Sequence, residues 1–204
     1  TVAQHYLAQK DTQVIYVADT AHMPYGTRSQ ENICELTSYI VDFLIEYHQV
    51  DTIVVACHTA SILASSYLRK KYPYIPFITM QDTIIPQSIA ATKNTRIGIL
   101  ATPATIAHGA YQKALQENDK DIVITEQPCP ELAPAIETLY NHPESLRQLI
   151  KTYLHSMKQA NVDTIILGCT HYALIKEIVR SECPGVTIIS SDETISTLAN
   201  SCIT

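Results

Sequence analysis

The sequence has no tryptophan, only two phenylalanines and three methionines. Aromatic packing in core and cleft therefore falls to tyrosine. Charge is also sparse: charged residues make up 17% of the chain, and the net charge of −6 is carried without a basic cluster. The only basic run, Arg69-Lys70-Lys71, reads as the solvated end of a helix. A nucleic-acid surface would need clustered Lys and Arg, so that function is not expected. No stretch approaches the roughly 18 to 20 apolar residues of a membrane helix. No signal peptide is visible, although the chain opens on Thr1 without a methionine, which limits that test. Cys-x-x-Cys is absent, and six cysteines (34, 57, 129, 169, 183 and 202) form no dense disulfide framework. They read as reduced thiols of a cytoplasmic protein. There is no glycine-rich phosphate loop, so a nucleotide cofactor is not expected. Low-complexity segments and long linkers are missing as well.

What is present is an ample apolar fraction, 46%, in 204 residues, enough for one large domain or two small ones. Short β-branched runs alternate with longer amphipathic ones. Strands are expected at Gln13–Ala18, Thr52–Cys57, Ile75–Met80, Arg96–Ala101, Ile122–Gln127, Thr164–Cys169 and Val186–Ser190. Helices are expected near Ser29–Tyr47, Thr59–Lys71, Asp82–Ala91, Thr105–Gln116, Pro130–Tyr140, Pro143–Gln159, Tyr172–Arg180 and 192–200. Strand followed by helix, repeated, predicts an α/β fold with parallel sheets covered on both faces. Ser29 is the expected N-cap of the first long helix.

One octapeptide occurs twice. Val50-Asp51-Thr52-Ile53-Val54-Val55-Ala56-Cys57 returns as Val162-Asp163-Thr164-Ile165-Ile166-Leu167-Gly168-Cys169, with five of eight positions identical. The runs lack polar alternation, as in strands buried on both faces. Ligands in open parallel sheets sit beyond the carboxyl ends of the strands, where both cysteines fall. Each precedes a helix start, whose free N–H groups favour anions and are expected to lower a nearby thiol below its reference of about 8.5. The Thr59 and Thr170 hydroxyls would join those N–H groups in holding a substrate carboxylate. A thiol pair has other uses, and a strand-end cysteine is often a small buried filler. A zinc site of Cys57, His58, Cys169 and His171 has the right ligand types but poor spacing. A Cys/His hydrolase needs one thiol. Proton transfer on opposite faces of one carbon uses both.

Three motifs carry a resemblance over nearly the whole chain. They are Asp19-Thr20-Ala21-His22-Met23-Pro24-Tyr25-Gly26, Ala56-Cys57-His58-Thr59-Ala60-Ser61 and Leu167-Gly168-Cys169-Thr170-His171-Tyr172. In order and spacing they resemble D-T-x-x-x-P-Y-G, A-C-N-T-A-S and L-G-C-T-H-Y of the glutamate racemases, within the cofactor-independent aspartate/glutamate racemase superfamily. The aspartate racemases usually have Glu where His171 stands. The resemblance implies two pseudo-symmetric parallel-sheet α/β domains with the active site in the cleft between them. It implies Cys57 and Cys169 as acid/base residues, His171 assisting Cys169, and Glu137 as a supporting carboxylate. Pro24, Tyr25, Gly26, His58, Thr59, Thr102, Thr105 and Thr170 would line the substrate. No cofactor and no metal are implied. The partner is a small molecule, L- or D-glutamate, made available as D-glutamate for peptidoglycan, and a homodimer is the family's habit. The division is expected at 1–81 with 191–204 for the first domain and 82–190 for the second.

Two departures stand out. The family's opening strand ends in D-S-G-x-G-G, and Thr1-Val2-Ala3 resembles the residues just after that motif, so the motif is expected ahead of Thr1. The family's C-terminal tail is likewise expected beyond Thr204. Second, His58 replaces the usual Asn, and either lowers the Cys57 pKa as a cation or crowds the pocket. Taken singly, Pro24-Tyr25-Gly26 is an ordinary turn, Glu137 an ordinary surface carboxylate, and Cys34, Cys129 and Cys183 buried fillers. His5, His22, His48, His108, His142 and His155 show no ligand spacing. An aspartate or hydantoin racemase, a diacid isomerase, a non-catalytic amino-acid binding protein and a thiol redox or zinc protein remain open.

Overall fold

The computed structural model describes residues 13–191. The helix expected over 192–200 and the segment 1–12 lie outside the described residues. A 3-10 turn at Tyr25–Thr27 leads into α1 (Gln30–His48), β1 (Ile53–Val55), α2 (His58–Lys71), β2 (Phe77–Thr79) and α3 (Met80–Ala91). Then come β3 (Arg96–Ala101), α4 (Pro103–His108), α5 (Ala110–Asn118), β4 (Val123–Pro128), α6 (Leu132–Leu139) and α7 (Pro143–Gln159). The chain continues through β5 (Thr164–Gly168), a 3-10 turn at Thr170–Ile175, α8 (Lys176–Glu182) and β6 (Thr187–Ile189).

Among the described residues the strands form two parallel sheets, β1-β2 and β4-β3-β5-β6. Alternation along β3 and β5 explains their nearly unbroken apolar sequence. Ile97, Ile99 and Ala101 of β3, Ile166 of β5 and Ile189 of β6 face one core. Leu100, Ile165, Leu167 and Ile188 face the other. Successive side chains point to opposite faces, so a strand covered by helices on both sides has no polar position left to alternate. The first core continues through Ile33, Leu44, Ile53, Leu68, Phe77 and Ile84, joining the β1-β2 layer to the four-stranded sheet. Helix α3 runs through residues 81 and 82, where the sequence sets the division between domains.

The two octapeptides differ where their surroundings differ. Ala56 becomes Gly168 in the second copy because β3 runs against β5: a Cβ on Gly168 would lie 2.8 Å from the Ala101 Cβ and 3.1 Å from the Leu100 carbonyl oxygen. The shared aspartates also diverge. Asp51 is exposed. Asp163 accepts from the Thr92 hydroxyl (2.7 Å), the N–H groups of Lys93 (2.6 Å) and Asn94 (2.7 Å), and the Thr164 hydroxyl (3.0 Å). It thereby fastens the turn into β3 to the start of β5.

Four local expectations change. Gln13–Ala18 forms no strand: its β-branched residues have the propensity but no ladder, and the Ala18 carbonyl accepts from the Thr20 N–H at 3.0 Å. The helix expected over Thr105–Gln116 is two helices, α4 and α5, divided at Gly109, whose φ of 68° is left-handed. The helix expected over Tyr172–Arg180 opens as a 3-10 turn from Thr170 before α8. Helix α3 starts at Met80 rather than Asp82, because Asp82 accepts from the Thr79 N–H at 2.8 Å and caps the turn before it. The expected cap of α1 forms, with the Ser29 hydroxyl accepting from the Asn32 N–H at 3.3 Å.

Burial alone would raise Asp163, but its hydroxyl and N–H donors outweigh it and hold the carboxyl below the usual range. A depressed folded pKa contributes stability above the unfolded value of about 3.9, and that contribution is lost as pH falls through the folded value. Asp163→Ala is expected to cost about 1–3 kcal/mol in urea unfolding near neutral pH, from the donors left unpaired. The difference from wild type should shrink as the pH is taken down toward about 3.

Candidate active site

The ends of β1 and β5 deliver Cys57 and Cys169, each in extended backbone immediately before a helical turn. Cys57 keeps part of its surface exposed, and Cys169 is 8% exposed. Burial of the sulfur raises the Cys57 thiol, opposed by the N–H groups of Ala60 and Thr59 and by the Thr59 hydroxyl. Cys169 is pushed up to about 12, chiefly by burial. The N–H groups of His171 and Tyr172 oppose the rise, while the charges of Cys57 and Glu137 add to it. The net shift of both thiols is therefore upward, opposite to the expected net lowering. The N–H groups act in the expected direction, but loss of water around sulfur is the larger effect.

Each thiol has its own surroundings. Around Cys169, His171 Nδ1 lies 3.7 Å from Sγ, and His171 Nε2 lies 2.8 Å from Glu137 Oε1. Helix α6 buries Leu132, Ala135 and Ile136, which turns Glu137 to the flank facing the 3-10 turn. The outer end of this chain is open, with the Glu137 side chain 52% exposed and His171 32%. Thr170 opens the same turn.

Beside Cys57, three buried hydroxyls meet. Thr59 Oγ1 is 3.1 Å from Thr102 Oγ1 and 3.3 Å from Thr105 Oγ1, and Thr102 donates to Thr105 at 3.0 Å. Thr102 also caps α4, accepting from the Thr105 N–H at 3.4 Å. The first turns of α2 and α4 thus converge. The Pro24-Tyr25-Gly26 segment packs on the same corner, where a Cβ on Gly26 would fall 2.8 Å from Thr102 Cβ. Tyr25 donates to Asp19 Oδ2 at 2.7 Å, and Asp19 Oδ1 lies 2.7 Å from His22 Nδ1. His22, given no role from the sequence, belongs to this support.

His58 is neither cationic nor an open ligand. It is 1% exposed, burial lowers its pKa to about 3, and Nδ1 lies 2.6 Å from the Tyr111 hydroxyl. The cationic reading of His58 is overturned by that burial. The zinc tetrad is not gathered either: His58 turns to Tyr111 and His171 to Glu137. No group of three or more His, Cys, Asp or Glu among the described residues is arranged to hold a metal ion. Tyr111 is the residue that sequence reasoning missed. Among twelve tyrosines nothing in its spacing marked it, yet charge on either Cys57 or Cys169 would raise its pKa, so it lies within electrostatic reach of both thiols.

The sequence profile of the Asp/Glu/Hydantoin racemase family matches residues 1–198. The chain belongs to this family. Relatives agree. It is 35% identical over 178 residues to a glutamate racemase of Neisseria meningitidis, covering 87% of this chain and 66% of that one. The fold superposes on glutamate racemase isoform RacE1 from Bacillus anthracis with a TM-score of 0.91 at 32% identity, covering 99% of this chain and 76% of that one. Against the glutamate racemase of Francisella tularensis, solved in complex with D-glutamate, the TM-score is 0.90 at 28% identity, with coverages of 99% and 75%. The chain spans about two thirds of the length of the curated relatives it matches.

In this racemase-family site the Glu137 charge is one of the causes that raise Cys169. Glu137→Gln keeps an acceptor for His171 and removes the charge. Its Cys169 should alkylate faster than wild type at one fixed pH, with Cys57 unchanged, as read by mass spectrometry of iodoacetamide-labelled peptides.

Proposed function

We propose that the protein interconverts L- and D-glutamate by cofactor-independent two-base proton transfer between Cys57 and Cys169, supplying D-glutamate for peptidoglycan. The observation that carries this reading is the matched pair of strand-end thiols, each with a different set of neighbours. Glutamate racemases at 35% to 38% identity support it, as does a structural neighbour solved with D-glutamate. In this reading the substrate lies in a cleft between a first domain, 1–81 with 191–204, and a second, 82–190.

The chemistry is set by the surroundings of the thiols. A Cα proton beside an ammonium and a carboxylate is weakly acidic, so it needs a strong base. A thiol whose pKa is raised by burial is a stronger base once ionised. One thiolate removes the proton from one face while the opposite thiol delivers its own proton to the other. Cys57 takes the proton from D-glutamate and Cys169 from L-glutamate. Negative charge developing on the substrate is met by helix-start N–H groups and by the hydroxyls of Thr59, Thr102, Thr105 and Thr170. Pro24, Tyr25 and Gly26 border the carboxylate and ammonium. His171, backed by Glu137, assists Cys169. Closure of the domains over substrate excludes water. The site is read as acting in the cytoplasm, in a protein able to form a homodimer. Among the described residues no helix is long and apolar enough to cross a membrane.

Cys57→Ser and Cys169→Ser test the assignment. Each should lower formation of D-glutamate from L-glutamate by about a thousandfold or more, the scale of a lost acid/base group. Full racemisation by either variant rules out the two-thiol mechanism. Saturable glutamate binding with no turnover by the unaltered protein points instead to a binding protein on this fold.

A further inference from the structure

The pairing of His58 with Tyr111 is not accounted for by the roles above. His58 is the first residue of α2 and adjoins Cys57, whose sulfur is held by the N–H groups of Thr59 and Ala60 one and two residues further on. Tyr111 belongs to α5, after β3, and is 1% exposed. Their 2.6 Å hydrogen bond joins the β1-β2 layer to the helices of the four-stranded sheet, one residue along the chain from the first thiol. Nε2 of the His58 ring is buried and has no hydrogen-bond partner among the described residues. A neutral imidazole carries one donor and one acceptor nitrogen, and here only one of the two is used. A single hydroxyl is thus the one polar partner seen for the ring inside its packed site.

We infer that Tyr111 is a positioning residue for Cys57: through its hydrogen bond it keeps the neutral His58 ring, one residue along the chain from the thiol, buried. The inference takes from the proposed racemase only the importance of Cys57, and it can be read without turnover. Tyr111→Phe removes the oxygen and keeps the bulk. The ring then has two unpartnered nitrogens in a buried site, a state that favours a rotamer reaching water. The accessible direction is past Cys57, which keeps part of its surface exposed while Ala60, Ser61 and Ile62 behind it are buried. Once solvated, the ring titrates near the ordinary histidine value of about 6.5 and places a switchable positive charge beside the first thiol. The group facing the ring is Tyr111 on α5; Cys57 adjoins His58 in the chain, and the charges of Cys169 and Cys57 bear on Tyr111. Burial is the one cause acting on the ring's own protonation.

The test uses the full chain as wild type, Tyr111→Phe, and Tyr111→Phe with His58→Asn. Histidine ring signals are followed by NMR as pH is varied, and the rates of Cys57 and Cys169 alkylation by iodoacetamide are followed by peptide mass spectrometry over the same range. In wild type, His58 should not titrate between about pH 5 and 8, and the Cys57 rate should rise smoothly. In Tyr111→Phe, His58 should titrate near about 6.5. The Cys57 rate should then be enhanced about tenfold below that point and fall back toward the wild-type curve above it, since a neighbouring cation favours the thiolate. Cys169 should be unaffected, and the second substitution should remove the bend. The inference is overturned if His58 stays silent in Tyr111→Phe. It is equally overturned if His58 titrates with no change at Cys57, or if the bend survives His58→Asn. Should Tyr111→Phe fail to fold, His58→Asn alone decides. An altered Cys57 rate with Cys169 unchanged supports the inference, and an unaltered one overturns it.

Discussion

Withdrawal of water from the ends of β1 and β5 is the constraint on which the rest of the site depends. Helical turns close over the ends of β1 and β5, and the residue in front of each turn is a thiol. Burial raises both thiols, and the helix-start N–H groups only moderate that rise. The same exclusion of water strengthens the action of the hydroxyls and N–H groups on any charge beside the thiols. A more solvated pair would ionise more readily, but would then be a weaker base with a better-screened neighbour.

Similar strands leave room for dissimilar surroundings. The octapeptides place their cysteines in corresponding positions, and the residues beyond each cysteine then diverge. Past Cys169 the chain tightens into a 3-10 turn that puts His171 between the sulfur and Glu137. Past Cys57 an α-helix begins at once, its first ring is drawn inward to Tyr111, and its next hydroxyl joins Thr102 and Thr105. Gly168 in place of Ala56 is part of the same divergence, since β5 has β3 pressed against it. The proposed handling of mirror-image substrates calls for bases in corresponding places with different supports on each side, and the strand ends and their neighbours fit that requirement.

Much of this was legible in the residues. Unbroken apolar runs predicted strands covered on both faces, and Arg96–Ala101 and Pro143–Gln159 fall where their patterns put them. The family motifs implied His171 as an assistant to Cys169 and Glu137 as a supporting carboxylate; the bond between those two side chains emerges only from the fold. Other features depend on contacts that sequence spacing does not encode. Gln13–Ala18 has strand residues without a strand partner among the described residues. The ionisation of the thiols depends on how much water folding removes, which outweighs the local helix-start effect that a sequence reveals. His58 could be read as a cation only while its burial was unknown. Tyr111 reaches both thiols from 54 and 58 positions away in the chain, too far for any periodicity to mark it.

The central claim is that two different thiols act on opposite faces of one carbon. It is tested most directly by the first turnovers of L-glutamate in D2O, with both isomers recovered and analysed for deuterium at Cα. The account predicts that early D-glutamate carries solvent deuterium at Cα while the remaining L-glutamate is still protiated, because the delivering thiol has exchanged with solvent and the abstracting one has not. D-Glutamate that retains the substrate's own proton, or deuterium entering both isomers equally from the start, contradicts it.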